Sequence, residues 1–283
     1  MRRMKTGLTH LLPESTLDFG LKFLSGLTRR FPRMKGAAFT ASLLRQFYLR
    51  KGRTSLEAEV LGFRMLLDPY ECVDGSLLFY PQLYEYREIE FMRKHLRSGD
   101  TFLDIGAHIG FYSLIASRIV GEKGTVVAVE ADPYNFGKLT LHIKLNHIQN
   151  VIALNEGVSN KKEVLRLGLN VTGNRAGNSF LSTNEDHVDV QCYPLAALLR
   201  KHRINRIQGA KFDIEGFEFR VLHQFFKEVN DSLRPDFMIV EQHSELVERA
   251  GGNVIELLES EGYRIERALK HNYIMRRKDS HKG

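Results

Sequence analysis

The run Gly99-Asp-Thr-Phe-Leu-Asp-Ile-Gly-Ala-His-Ile-Gly110 constrains this chain more than any other segment. It reads as a short apolar strand, Thr101–Ile105, then a turn carrying Gly106 and Gly110, then a helix over Ile109–Val120. A strand–glycine turn–helix unit opens a parallel sheet and places a helix N-terminus at the strand's carboxyl end. Free N–H groups there attract a carboxylate, and glycines allow close backbone approach to a ligand. Glu130 ends the next apolar run, 20 residues after Gly110. An acid at that place accepts hydrogen bonds from a ribose diol.

Two cofactors suit this layout. A dinucleotide site wants G-x-G-x-x-G around its pyrophosphate, whereas this chain has D-x-G-x-x-x-G, with Ala107 and His108 where the phosphates need room. S-adenosylmethionine has a ribose but no phosphate, and its amino acid end is zwitterionic. Asp104 suits its ammonium and the helix start its carboxylate, so the pattern favours adenosylmethionine over NAD. In the turn, His108 is expected to contribute a backbone contact.

The remaining chain alternates strand and helix. Strands are expected at Thr125–Glu130, Val151–Leu154, Val188–Cys192, Ala210–Asp213 and Phe237–Glu241, with helices at Tyr134–Asn146, from Pro194, at Phe217–Val229 and near Leu246–Ser260. Two closing strands, Tyr263–Arg267 and Asn272–Arg276, are close enough to form an antiparallel hairpin. This is an α/β pattern with a mostly parallel sheet covered on both faces. Upstream, 55–68 and 76–80 suggest short strands and 84–97 a helix. The expected organisation is a helical extension over 1–53, strands and a helix over 54–98 that lead into the core, and a Rossmann-like domain over 99–283.

Charge is concentrated in the extension. Residues 1–53 carry twelve Lys/Arg against Glu14 and Asp18, so of the chain's net +7 they hold +10, and 54–283 hold −3. The basicity therefore says little about the catalytic domain. Two apolar groups, Leu17 to Phe31 and Phe39 to Tyr48, recur at helical spacing on either side of Pro32. These amphipathic stretches suit peripheral contact with an anionic membrane, or packing on the domain. No stretch approaches the roughly 18 apolar residues of a membrane span. Pro13, Glu14 and Asp18 interrupt the apolar region that a signal peptide needs, and Cys72 and Cys192 form no metal or disulfide pattern. The expected location is the cytoplasm.

Beyond the donor motif, Asp213, Glu215 and Glu218 follow one strand, and Glu241 and His243 end another. Carboxyl ends of adjacent parallel strands share one crevice. Asp213, Glu215, Glu241 and His243 are thus candidates for a catalytic cluster, with Asp213 or His243 as general base and Glu215 and Glu241 orienting them or holding a metal. An oxygen-rich cluster could instead take Mg²⁺, which lowers a hydroxyl's pKa. Glu218 reads as a helix-start acid. Lys211 reads as the partner of a nearby carboxylate. The stretch Gly168–Ser179 is a surface loop, or a lid whose Asn178 and Ser179 touch the acceptor.

GDTFLDIGAHIGFYS (99–113), VVAVEADPYNFGKLTLHIKLN (126–146), NVIALNEGVSN (150–160), KFDIEGFEFRVL (211–222) and IVEQH (239–243) together resemble the motifs of the FkbM family of methyltransferases. The Asp-Ile-Glu-Gly segment is the most specific of them. The resemblance covers roughly residues 76–245. It departs at Ala131-Asp132-Pro133, where the family usually has Pro directly after the acid. It implies a seven-stranded Rossmann-like sheet and adenosylmethionine as methyl donor. The implied donor site comprises Asp104, Gly106, Ala107, His108, Gly110, Glu130, Ala131, Glu156 and Gly157. It also implies O-methylation of a hydroxyl, often on a sugar, glycan or natural product. An RNA methyltransferase or nucleic-acid-binding protein is the alternative that the basic extension suggests, and an NAD-dependent dehydrogenase is a further one.

Overall fold

The computed structural model describes residues 25–29, 55–170, 175–242 and 246–278. The chain forms two compact units, Met1–Tyr86 and Arg87–Gly283.

In the first unit, β1 (Leu56–Val60) and β2 (Phe63–Leu67) form an antiparallel hairpin. Leu61 and Gly62 turn it with positive φ at both positions, the geometry of a tight hairpin turn. The helix α1 (Cys72–Phe79) follows. A strand was expected over 76–80. Leu77, Leu78 and Phe79 are instead fully buried on this helix, and a short apolar run enclosed all round has no period that tells the two apart. Of the extension, a helical turn at 25–28 is described, with the Thr28 hydroxyl bonded to the Phe79 carbonyl and Arg29 Nε to Leu78 O at 2.9 Å. The rest of the amphipathic stretches lies outside the described residues.

The helix α2 (Tyr86–His95) leads into the second unit. There, β3 (Thr101–Ile105), α3 (Phe111–Val120), β4 (Thr125–Val129), α4 (Pro133–Leu145) and β5 (Val151–Leu154) alternate as expected. A small sheet follows, of β6 (Gly157–Ser159), β7 (Glu163–Gly168) and β8 (His187–Pro194), in the order β6-β8-β7. The helix α5 (Leu195–Lys201), β9 (Gly209–Phe212), α6 (Glu218–Glu228) and β10 (Phe237–Glu241) return the chain to the main sheet. The helix expected near Leu246–Ser260 is two, α7 (Val247–Ala250) and α8 (Val254–Ser260). Gly251, with φ +94°, ends the first, and the Asn253 side chain caps the second, so a glycine pair acts as punctuation. The last strands, β11 (Tyr263–Ala268) and β12 (Asn272–Arg277), pair antiparallel.

The main sheet has seven strands in the order β11-β12-β10-β9-β3-β4-β5. From β10 to β5 every pairing is parallel, and β12 is antiparallel to both its neighbours. This is the Rossmann-like α/β class with a C-terminal antiparallel hairpin. Its core is the near-continuous apolar character of the central strands: Leu103, Ile105, Val127, Val129, Phe212, Met238 and Val240 are all buried, as strands covered on both faces require. Each such side chain stabilises the fold by about 1.5–3 kcal/mol. The strand order reverses around β3, whose successor β4 lies on one side and β9 on the other. The crevice outside the carboxyl ends of β3, β4 and β9 is where such a sheet binds its ligand.

Candidate active site

The turn after β3 is built for close approach. Gly106 and Gly110 have φ of +82° and +92°, and His108 sits at +50°. A Cβ on Gly106 would run into the carbonyl oxygen of Asp213, and one on Gly110 would lie 2.6 Å from Leu139 Cδ1. Gly110 is the N-cap of α3, with φ +92°, so the helix starts directly at the glycine turn, where a helix N-terminus favours a carboxylate. His142 Nδ1 lies 2.8 Å from the Ile109 carbonyl and fastens the turn to α4.

Glu130 stands at the end of β4, 7% exposed. Its Oε2 accepts from the His108 amide at 2.7 Å and its Oε1 from the Asp132 amide at 2.8 Å. Each oxygen keeps a second lone pair, enough for the two hydroxyls of a ribose. Burial pushes the Glu130 carboxyl up to about 8, with the two amides acting in the other direction. Asp104, at the end of β3, accepts from Ser113 Oγ at 2.5 Å, and burial raises it to about 6. Ala107 lies in the turn, and Ala131 follows Glu130, where Asn155 Nδ2 reaches the carbonyls of both Glu130 and Ala131. Glu156 follows β5 and accepts from Lys201 Nζ at 3.0 Å. Gly157 begins β6, where a Cβ would strike Cys192 Sγ, so its bareness serves packing of the small sheet.

This donor set fits adenosylmethionine. A buried acid ends β4, a helix starts at the glycine turn after β3, and that turn has no space for a side chain. The diol donates to an ionised Glu130, and the carboxyl is raised. Affinity for S-adenosylhomocysteine should therefore climb with pH, by up to about tenfold per unit below pH 8, and level off above it. Calorimetry from pH 6 to 9 checks this. A flat profile for the natural chain, or the same slope in Glu130→Gln, contradicts it.

The second cluster forms where β9 and β10 end. One oxygen from each of Asp213, Glu215 and Glu241 lies within 4.8 Å of the others. The β9–α6 turn holds them there. Glu215 has φ +50° and Gly216 +98°, and Glu218 closes the turn by accepting from the Ile214 amide at 2.7 Å and the Gly216 amide at 3.0 Å. Glu218 is thus a turn-capping acid. Lys211, 4% exposed on β9, pairs with Asp213 Oδ2, and its ammonium lies 4.8 Å from the centre of the Tyr112 ring. Asp213 and Glu241 also hydrogen-bond each other.

The three carboxyls ionise differently. Burial pushes Asp213 up, but the Lys211 ammonium, hydrogen bonds from Glu241 and Lys211, and the charge of His108 outweigh it, so Asp213 stays below the usual range. Burial and the Asp213 charge drive Glu241 to about 10, and burial with Asp213 and Glu218 drives Glu215 to about 8. At neutral pH the group holds one firm carboxylate, Asp213, with a protonated neighbour, Glu241. That is the arrangement of a base with a proton-bearing partner. A cleft between the start of α6 and the α7–α8 segment, lined by Gly216, Phe219, Glu241, Leu246 and Val254, opens beside Glu241.

His243 lies outside the described residues, as does the middle of the Gly168–Ser179 loop. The ends of that loop are fastened. Asp132 Oδ2 accepts from Arg175 at 3.1 Å and Asn178 at 2.9 Å, and Ser179 Oγ donates to the Glu215 carbonyl at 2.7 Å. Asn178 and Ser179 are thus engaged with the domain, and they tie the donor side of the crevice to the acid cluster. Ser113, Asn155, Asp132 and Arg175 were not singled out by the sequence. Asn155 and Arg175 act through residues distant in the chain, whereas Asp132 could have been found from the Asp-Pro helix start it caps, its side chain accepting from the Tyr134 amide.

Residues 104–265 match the family described as "Methyltransferase FkbM domain". The "Probable cobalt-precorrin-6B C(15)-methyltransferase (decarboxylating)" of Sulfolobus acidocaldarius is 47% identical over 49 residues, which cover 17% of this chain and 26% of that protein. The chain thus spans about a quarter of that relative's length. Among solved structures, a SAM dependent methyltransferase from Aquifex aeolicus is 18% identical, with 68% of this chain and 89% of that one covered and a TM-score of 0.39. The precorrin-6y C5,15-methyltransferase from Geobacter metallireducens GS-15 is 13% identical, with 69% and 87% covered and a TM-score of 0.43. The strand order itself, rather than these likenesses, establishes the fold.

Proposed function

Because this chain belongs to the FkbM methyltransferase family, we propose that it transfers the methyl group of S-adenosylmethionine to a hydroxyl oxygen, with Asp213 as general base. The observation that carries this reading is the buried pairing of the Asp213 carboxyl with Lys211, directly after β9, where the Asp213 amide donates to the Ile105 carbonyl at the end of the donor strand β3.

The donor, when bound, supplies an electrophilic methyl on a sulfonium. The chain's part is alignment and proton removal. Glu130 fixes the ribose, the α3 start and Asp104 the amino acid end. Asp213 takes the proton of the attacking hydroxyl. Glu215 and Glu241 accept or donate hydrogen bonds around the acceptor, and their oxygen-rich lining suits a polyhydroxylated molecule. A sugar or glycan is therefore the proposed acceptor class. Mg²⁺ held by the same carboxylates is the competing device, disfavoured because the Lys211 ammonium already occupies one oxygen of Asp213.

The test has a donor and an acceptor arm. The chain should bind S-adenosylhomocysteine and not NAD, and Glu130→Ala should weaken that binding by about 1.5–3 kcal/mol per charge-assisted hydrogen bond lost. Incubation with adenosylmethionine and a panel of sugars, glycans and RNA should yield adenosylhomocysteine with a carbohydrate acceptor, and the yield should survive EDTA. Turnover restored only by Mg²⁺ replaces the base by a metal. Turnover on RNA alone replaces the acceptor class.

A further inference from the structure

Asn178 and Ser179 follow one another in the chain and hold opposite sides of the crevice. Asn178 Nδ2 donates to Asp132 Oδ2 at 2.9 Å, in the segment that follows β4. Ser179 Oγ donates to the Glu215 carbonyl at 2.7 Å, in the turn that follows β9. The sheet order here is β9-β3-β4. The strands that these segments leave are therefore about 10 Å apart, two interstrand steps, and the pair reaches across the carboxyl end of β3. Both residues are fixed. Asn178 Oδ1 accepts from the Asn170 amide at 2.7 Å, which together with the bond to Asp132 settles which end of the side-chain amide is oxygen. Ser179 exchanges two backbone bonds with Gly168, at 3.1 and 3.2 Å, and its hydroxyl accepts from the Leu181 amide at 3.0 Å.

Each anchor leads directly to a functional side chain. On the donor side, Asp132 Oδ1 caps α4 on the Tyr134 amide, Oδ2 holds Asn178 and Arg175, and the Asp132 amide donates to Glu130 Oε1. On the other side, Glu215 carries a side chain at φ +50°, a conformation that its surroundings must hold. Ser179 fastens the Glu215 carbonyl, and Leu181 covers the neighbouring Gly216, where a Cβ would lie 2.7 Å from Leu181 Cδ1. The Glu215 carboxyl then meets those of Asp213 and Glu241. We propose that Asn178 and Ser179 are positioning residues which link the ribose site to the acid cluster. A ribose fixed on Glu130 steadies Asp132 and, through Asn178 and Ser179, the turn that presents Glu215. Binding that orders one segment orders what is fastened to it, so a donor-filled crevice meets the acceptor with the cluster already in place. The inference rests on the reading of Glu130 as the ribose acid.

Hydrogen–deuterium exchange of the full chain, with and without S-adenosylhomocysteine, follows both sides at once. In the natural chain the ligand should slow exchange in the glycine turn (104–110), after β4 (130–134) and in the 214–218 turn, whose Ile214 and Gly216 amides bond to Glu218. In Ser179→Ala the first two segments should keep this protection, and the 214–218 turn should lose its response to the ligand. Ser179→Thr, which retains the hydroxyl, should restore that response. Should Ser179→Ala fail to fold, Arg175→Met/Asn178→Ala removes both bonds to Asp132 and should uncouple the same turn. The proposal is overturned if 214–218 does not respond to the ligand in the natural chain. It is equally overturned if 214–218 still responds in the uncoupled variant, because the effect then passes through the β3–β9 junction. Exchange that is unchanged at 104–110 and 130–134 in the natural chain instead overturns the donor reading, so the two ideas fail separately.

Discussion

Asp213→Asn should lower methyl transfer by about 10²–10⁴-fold, the usual cost of losing a general base, while affinity for S-adenosylhomocysteine stays within a few-fold. Asparagine keeps the size and the hydrogen bond that Lys211 and Glu241 can satisfy, but it cannot take a proton. The backbone of Asp213, whose amide donates to the Ile105 carbonyl at 2.9 Å, is unchanged, so the β3–β9 junction that supports the donor site persists. Initial rates with the acceptor found in the panel, together with calorimetry, separate the two effects. Turnover that survives Asp213→Asn but collapses in His243→Ala would make His243 the base. Turnover that survives both would make the cluster structural.

Gly106→Ala is expected to be the most damaging small substitution in the donor site. Its φ of +82° lies where an L side chain is strained, and the new Cβ would meet the Asp213 carbonyl oxygen. Backbone strain and overpacking each cost about 1–3 kcal/mol, and a backbone carbonyl in a central strand junction has little room to retreat. A loss of about 2–4 kcal/mol lowers the melting temperature by roughly 4–16 °C in a domain of this size. Adenosylhomocysteine binding should vanish with it, since the same turn carries His108 and its contact to Glu130. Gly137 provides the contrast. It lies within α4, and a Cβ there meets nothing within 4 Å. Gly137→Ala should therefore raise stability by about 0.5–1 kcal/mol. Thermal melts of the two variants settle the point, and a Gly106→Ala chain that melts and binds like the natural one refutes the account of the turn.

The glycine turn and the acid at the end of the next strand were legible because their determinants are local. A strand, two glycines and a helix start follow one another within a dozen residues, and Glu130 closes the next strand. A turn that needs positive φ must write glycine into the sequence, and parallel strands buried on both faces must be written as apolar runs. The mostly parallel sheet and its closing hairpin follow from the same periodicities, whereas the number of seven strands was implied by the family resemblance. The short helix α1 shows the limit, because an apolar run buried on all sides loses the period that distinguishes helix from strand. The small sheet β6-β8-β7 shows another, since which sheet a strand joins is a matter of partners.

The acid cluster belongs to the tertiary structure. Asp213, Glu215 and Glu241 meet only because β9 lies between β3 and β10, and strand order is set by crossovers that no local pattern records. The sequence offered Asp213 or His243 as the base, Glu215 and Glu241 as acids that orient them or hold a metal, and Lys211 as the partner of some nearby acid. Burial beside the Lys211 ammonium sets Asp213 below the usual carboxylate range, and burial with the Asp213 charge sets Glu215 and Glu241 above it. A charge's cost depends on the dielectric around it and on the counter-charges within a few ångströms, and both are properties of the folded crevice rather than of the order of residues along the chain.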